Sequence, residues 1–339
     1  MFHSIQLITA SLTLLIVMGS CEQSIKKHSV STYAGKTKMG FHNGDHLDGE
    51  FSNPSGIASD DQGNIFIADS QNNAIRKIDK HGRVSTLAGN GNVGAVDGKG
   101  AEATFFFPLA LAADQHGNIY VADTRNNLIR MITLNGEVKT IAGKGSQAFD
   151  NPEGIAVDKE GNIFVSDRND QIYEINKAGK ITLYAGTGIT GSTDGHRLKA
   201  SFYIPKGLAF DNDGNLFVSD SFNNCIRKIS KDGMVSTLAG CHRKGKKDGQ
   251  GDSACFFHPA GIAIDKHQNI FVADAGNQVI RKIDAQAKVS TLAGTGERGW
   301  TDGDLLKATF WNPVGVVVDS EDRILVVDNL NNLVRLVNE

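Results

Sequence analysis

Residues Ile65-Phe66-Ile67-Ala68 form an unbroken apolar run, set between the turn-forming Asp61-Gln62-Gly63-Asn64 and the polar Ser70-Gln71-Asn72-Asn73. A strand with one wet face alternates apolar and polar positions; a continuous run predicts a strand covered on both faces. Around it lie a short small-to-apolar run, Gly56–Ser59, a third strand over Ala74–Asp79 and a fourth over Arg83–Ala88, with His81-Gly82 at the turn between the last two. No window holds a 3.6-residue apolar period, so a helical repeat is excluded. The unit reads as four antiparallel strands, sandwiched between neighbours of the same kind.

The unit recurs. Pro54, Pro108, Pro152, Pro205, Pro259 and Pro313 are the six prolines of the 339-residue chain, spaced by 54, 44, 53, 54 and 54 residues. Asp69, Asp123, Asp167, Asp220, Asp274 and Asp328 share those spacings, including the single short step. A period of this length points to a propeller or solenoid. The fourth-strand motif appears at Val84–Gly89, Val138–Gly143, Ile181–Gly186, Val235–Gly240 and Val289–Gly294, whereas the last unit stops at Glu339 after its third strand. The missing strand is Val30–Gly35 at the other end. The expectation is therefore an all-β, six-bladed β-propeller of four-stranded antiparallel blades. Its N-terminal strand completes the sixth blade and removes the open edges of the sheet.

The motifs Pro-x-Gly-Ile-Ala-x-Asp, Gly-Asn-Ile-Phe-x-Ala/Ser-Asp, Asn-Asn-x-Ile-Arg-Lys-Ile and Val-Ser-Thr-Leu-Ala-Gly resemble the NHL repeat. The resemblance covers nearly all of Val30–Glu339 and is nearest to the long-loop bacterial type with Asp-Gly between blades. It implies a platform for protein or RNA binding, with lyases and lactonases among proteins of the same fold, so the fold leaves function open.

The N-terminal segment supplies an address. Residues 1–20 hold no Lys, Arg, Asp or Glu, and Ile5–Met18 is mostly apolar, too short for a comfortable membrane span. It fits the apolar core of a secretory signal. Met18-Gly19-Ser20-Cys21 resembles the lipobox of bacterial lipoproteins, which implies lipidation of Cys21; an ordinary cleaved signal or an uncleaved anchor is the rival. The expected organisation is a signal peptide over 1–20, a lipidated Cys21 with a short tether to residue 29, and the propeller over 30–339. Glu22 lacks the usual Asp retention cue, so the outer membrane of the cell envelope is the expected location. The eight residues Glu22–Ser29 reach at most about 26–29 Å. They would hold the short-turn face, here the bottom, toward the membrane and present the long-loop top outward. With 35 basic and 38 acidic residues there is no global pull toward nucleic acid, and no basic stripe is present.

Several residue sets invite chemistry. The six repeated Asp residues are read as structural, capping the loop after the second strand and pairing with Arg76, Arg130, Arg227, Arg281 and Arg335. The pairs Asp48-Gly49, Asp97-Gly98, Asp194-Gly195, Asp248-Gly249 and Asp302-Gly303 are read as tight turns. Phe51, Phe105, Phe202, Phe256 and Phe310 then anchor each connection to its own blade, and Phe149 completes the aromatic set. A single Asp per loop falls far short of the six to eight oxygens calcium takes. His258, directly before Pro259, is the one histidine at a channel-mouth position. After the prolines come Ser55, Leu109, Glu153, Lys206, Ala260 and Val314, so the mouth offers one Glu and one Lys. No nucleophile elbow or phosphate loop is present. Cys225 is expected buried and free; Cys241 and Cys255 bracket one connection and either form a disulfide, which export permits, or serve as small side chains.

Irregularity marks the third unit. Its preceding connection, Lys144-Gly145-Ser146-Gln147-Ala148, is about ten residues short and lacks Asp-Gly, and its third strand Ile172-Tyr173-Glu174-Ile175 lacks the Arg. A notch in the top wall between blades two and three is expected, with Glu153, Arg168, Asn169 and Tyr173 near or behind it. Together with Lys206 and His258 these are the candidate binding residues. The functional expectation is a monomeric, non-catalytic, lipid-anchored module of the cell envelope. It binds a protein, peptide or glycan through its top face, with no cofactor, no metal and no nucleic acid. The alternative is a metal-dependent lyase or lactonase working at the channel mouth.

Overall fold

The computed structural model describes residues 28–143 and 149–339. The signal segment, Cys21 and the short connection 144–148 lie outside the described residues. The chain forms six antiparallel sheets arranged as blades around a central channel. Blade 1 contains Pro54–Ser59, Ile65–Asp69, Ala74–Ile78 and Arg83–Ala88, from channel to rim. All five residues of Ile65–Asp69 are buried, as the continuous apolar run requires. Among the described residues there is no α-helix, only single 3-10 turns.

The ring closes as expected. Ser29–Gly35 pairs antiparallel with Leu333–Asn338, so the first strand is the outer strand of the last blade. There is no single core. Six apolar clusters each bridge one pair of adjacent blades, including Phe66 with Phe105 and Leu111, and Val30 with Phe271 and Phe310.

Around the channel the inner strands approach so closely that side chains are excluded from their Pro-x-Gly positions. A Cβ on Gly154 would stand 1.7 Å from the Lys206 carbonyl, and one on Gly261 would stand 2.6 Å from that of Val314. Glycine is required there by the approach of the next backbone.

Two expectations need correction. Five blades are five-stranded, because the residue after each Asp (Gly98, Gly195, Gly249, Gly303) opens a two-residue strand on the rim of its own blade. Gly98–Lys99, for example, pairs with Val138 and Glu137. These are edge strands rather than tight turns, and Gly195 and Gly303 stand there with φ of 129° and 137°, a conformation open to glycine. In blade 1 the counterpart is Asn43-Gly44, with Gly44 paired to Val84, and not Asp48-Gly49. Asn43 is eight residues before Phe51, matching Asp97 before Phe105. Five of the repeated Asp residues also accept no backbone N–H from the loops that follow them, whereas Asp167 caps its loop through the N–H of Asn169. Each accepts a backbone N–H from the connection about seventeen residues earlier, as Asp123 does from Phe106 at 2.8 Å.

Blade 3 has four strands, Gly154–Val157, Ile163–Ser166, Ile172–Ile175 and Ile181–Ala185. The segment its short connection omits is the one that covers the rim elsewhere, and among the described residues no strand covers its outer edge. The expected notch in the top wall falls on residues outside the described set.

Candidate functional site

Buried ion pairs decide which charges of the propeller are free. In blade 2, Arg130 Nη1 donates to Asp123 Oδ2 at 2.9 Å and to the Thr104 carbonyl at 3.0 Å. Its Nη2 donates to Asp97 Oδ1 at 2.7 Å and to the Val96 carbonyl at 2.9 Å. The guanidinium lies over Phe105, 5.0 Å from the ring centroid. Asn126 ties Asp123 to the loop tip at Gly94, and Thr140 Oγ1 donates to Asp97. The same arrangement holds in blades 4, 5 and 6, and in blade 1 with Asn43 in place of the second carboxylate. Arg and inner Asp are fully buried in each. Five of the six inner carboxylates are thus structural partners of arginine, and Asp167 is held by backbone N–H groups instead.

A second repeated device joins blades. The residue before each proline stands in the left-handed region: Asn53, Phe107, Asn151, Ile204, His258 and Asn312, with φ between 45° and 57°. Its N–H donates to a side chain of the preceding blade, Asn332, Asn73, Asn127, Asp170, Asn224 and Gln278 in turn. Asn tolerates this conformation; a β-branched Ile is an outlier there. Three blades carry Phe107, Ile204 and His258 instead of Asn, and Phe107 lines the channel mouth. Strained backbone of this kind persists where the surroundings over-determine it, and it clusters at functional sites.

The mouth is a cavity of about 330 Å³. Its walls are mixed, with Leu109, Leu208, Ile262 and Val314 beside the polar Asn53, Ser55, Asn312 and Asn329, and its charged residues are Glu153, Arg168 and Lys206. Arg168 directly follows the repeated Asp, the position from which Asn329 also lines the mouth in blade 6, and it is the one charged side chain at that position among the six blades. Arg168 Nε donates to Glu153 Oε1 at 2.6 Å; the Glu153 side chain is 5% exposed and that of Arg168 53%. Lys206, one blade on, makes no side-chain hydrogen bond or ion pair among the described residues.

The structure therefore brings Glu153, Arg168 and Lys206 together. His258 lies beside them, its ring 4.5 Å from both Phe222 and Phe257. Burial, and after it the Lys206 ammonium, holds its imidazole below the ordinary histidine range, and Nδ1 is buried without a partner. Asn169 is exposed at the rim of the loop. Tyr173 is remote from the mouth: it fills the place of the missing Arg, edge-on to Phe149 at 5.6 Å, with its hydroxyl donating to Gln171. Phe107, Ile204, Tyr203, Phe222 and Trp311 were not singled out from sequence. The signal available was the departure from Asn before the prolines.

Elsewhere, Cys225 is buried and free, its thiol pushed upward by burial. Cys241 and Cys255 form a disulfide across the connection into blade 5. Among the described residues no three His, Cys, Asp or Glu side chains converge as a metal-binding group. The donors at the mouth are one carboxylate held by Arg168 and one imidazole.

Six antiparallel blades sealed by the first strand define a closed six-bladed β-propeller. The NHL repeat model matches residues 51–78, and the Teneurin NHL domain model matches residues 92–248. The human NHL repeat-containing protein 2 is 31% identical over 317 residues, covering 79% of this chain and 44% of that protein. This chain is an NHL-repeat propeller. It spans less than half the length of the curated relatives it matches first. Among solved structures, an auxiliary nutrient binding protein from Bacteroides thetaiotaomicron superposes with a TM-score of 0.74 at 17% identity, over 92% of this chain and 76% of that one. A streptogramin B lyase superposes with a TM-score of 0.59 at 16% identity, over 91% and 98%. Both share the fold.

Proposed function

We propose that this chain is a binding module of the cell envelope, tethered by a lipid on Cys21, that captures a protein, peptide or glycan through its long-loop top face. The contact centre is the channel mouth at blades 3 to 5. One observation carries this reading: the departures from an otherwise strict repeat converge on that mouth. Glu153 and Arg168 on blade 3, Lys206 on blade 4 and Phe107 on blade 2 line the same opening, and His258 lies close to Lys206. Next to His258 stand Phe222 and, against it, Tyr203, each more than a third exposed. A cleft with a few convergent polar groups is the usual make-up of a ligand site, and a solved propeller of this fold is described as nutrient binding.

The test is a panel of glycans and peptides presented to the folded 22–339 fragment and to an Arg168→Gln, Lys206→Met variant. A ligand retained by the parent and released by the variant supports the reading. Ligands retained equally by both would move the site elsewhere. Metal content of the same fragment tests the lyase or lactonase alternative. One tightly held ion per chain, with activity lost on chelation, would favour it. Radiolabelled lipid incorporation that persists in Cys21→Ser would sink the tether.

A further inference from the structure

The ligand class follows from which charges at the mouth are spent. This step rests on the mouth being the binding site. Arg168 is fixed through Nε alone; among the described residues neither Nη1 nor Nη2 has a hydrogen-bond partner. The Glu153 contact orients the planar fork and leaves its terminal donors for something else. Lys206 Nζ is likewise unspent and lines the same cavity. Two cations against one carboxylate leave one positive charge in excess at the opening. No other Asp or Glu lines the cavity to offset it. In the other five blades both terminal nitrogens of each third-strand Arg are engaged by carboxylate or amide oxygens and backbone carbonyls and only the buried Nε is left over, whereas Arg168 has its Nε engaged and its terminal fork free.

We infer that the mouth recognises a monoanionic carboxylate carried on a small body with both apolar and polar faces. Arg168 takes the carboxylate in the bidentate geometry that its fork matches, and Lys206 contributes a point charge. A carboxylate matches the single excess charge; a phosphate dianion would remain half uncompensated. The apolar face lies against Leu109, Leu208, Ile262 and Val314. At about 330 Å³ the cavity is at the small end of ligand pockets, so within a peptide or glycan partner the recognised part is one terminal residue or one acidic sugar.

The probes are hexanoate, its neutral counterpart hexanamide, and inorganic phosphate, titrated into isotopically labelled 22–339 fragment while the amides of Gly154, Arg168, Lys206 and Gly207 are followed. Hexanoate is expected to saturate these shifts about tenfold more tightly than hexanamide, as loss of a charge-assisted bond requires. Lys206→Met should weaken hexanoate by about five- to tenfold and leave hexanamide unchanged. Lys80→Met, the same charge change on the bottom, should alter neither. Equal affinity for acid and amide would overturn the anion inference while leaving the mouth as a binding site. Tighter binding of phosphate than of hexanoate would overturn the carboxylate assignment. No saturation by any probe at about 50 mM would overturn the inference and the mouth reading together.

Discussion

Blade 3 and its five siblings hold the same inner carboxylate by different means. Where the long connection is present, its Asp or Asn, the third-strand Arg and the outer-strand Thr form one bonded unit around the inner Asp. Where the connection is short, all three members are gone. Tyr173 stands for Arg, Leu183 for Thr, and among the described residues no strand pairs with the outer side of Ile181–Ala185, with Leu183 41% exposed. Asp167 alone remains, because it still accepts the N–H groups of Asp150 and Asn169. Desolvation, aided by the nearby Asp150 carboxylate, pushes it up to about 6. Burial gives the Arg-paired Asp69, Asp220, Asp274 and Asp328 the same value, so backbone N–H groups do for Asp167 what arginine does in those blades. The comparison shows that the Arg is retained only with the loop that completes its hydrogen bonds. The blade released from that unit is also the one that places an Arg in the mouth.

The largest effect that would break this comparison comes from the siblings. Arg227→Met leaves Asp220 buried and unpaired and should cost ~3–5 kcal/mol in chemical denaturation; a loss below ~1 kcal/mol would show the unit to be dispensable everywhere. Next is the crosslinked connection. Cys255→Ala opens the loop closed with Cys241 and should cost ~1–3 kcal/mol, with no effect from reductant on the variant.

Asp167→Asn tests the other side. An unfolded aspartate titrates near about 3.9, so native Asp167 holds its proton more tightly than the unfolded chain does. Its contribution to stability is complete below about pH 4 and is lost as pH rises through 6. The substitution should leave stability unchanged near about pH 4 and raise it by ~1–2 kcal/mol at about pH 7.5. A pH-independent change would remove the desolvated carboxylate from the account. The smallest effect is Ile204→Asn, which relieves left-handed strain and should stabilise by ~0.5–1 kcal/mol while weakening ligand capture. Stabilisation without loss of capture would separate strain from function.

The ring was legible because proline and aspartate mark it by covalent position. Inner strands open at proline, and the second strand ends at a buried acid, so two residue types report one period. Closure was legible because the last unit lacked a strand that the first residues supplied. The rim strands were not, since a two-residue strand has no alternation to detect and its glycine has turn chemistry. The alignment of blade 1 failed for the same reason: Asp48-Gly49 carries the expected dipeptide, whereas Asn43 holds the geometric place. At the mouth, Glu153, Lys206 and His258 could be placed by counting from proline. The fork of Arg168 could not, because its aim depends on the Nε contact with Glu153.

The way the ring is shut has a mechanical side. Ser29–Gly35 enters from the bottom and lies between Leu333–Asn338 and Gly303–Asp304. A load applied at residue 28 along the strand must shear the whole ladder at once, since no bond can yield before its neighbours slide. The same load applied sideways, outward from the rim, meets the bonds one at a time from Ser29 upward and peels them like a strip of tape. A propeller pulled by its N-terminus is therefore strong in the direction of its own channel and weak across it, and the direction of tension decides whether the ring stays closed.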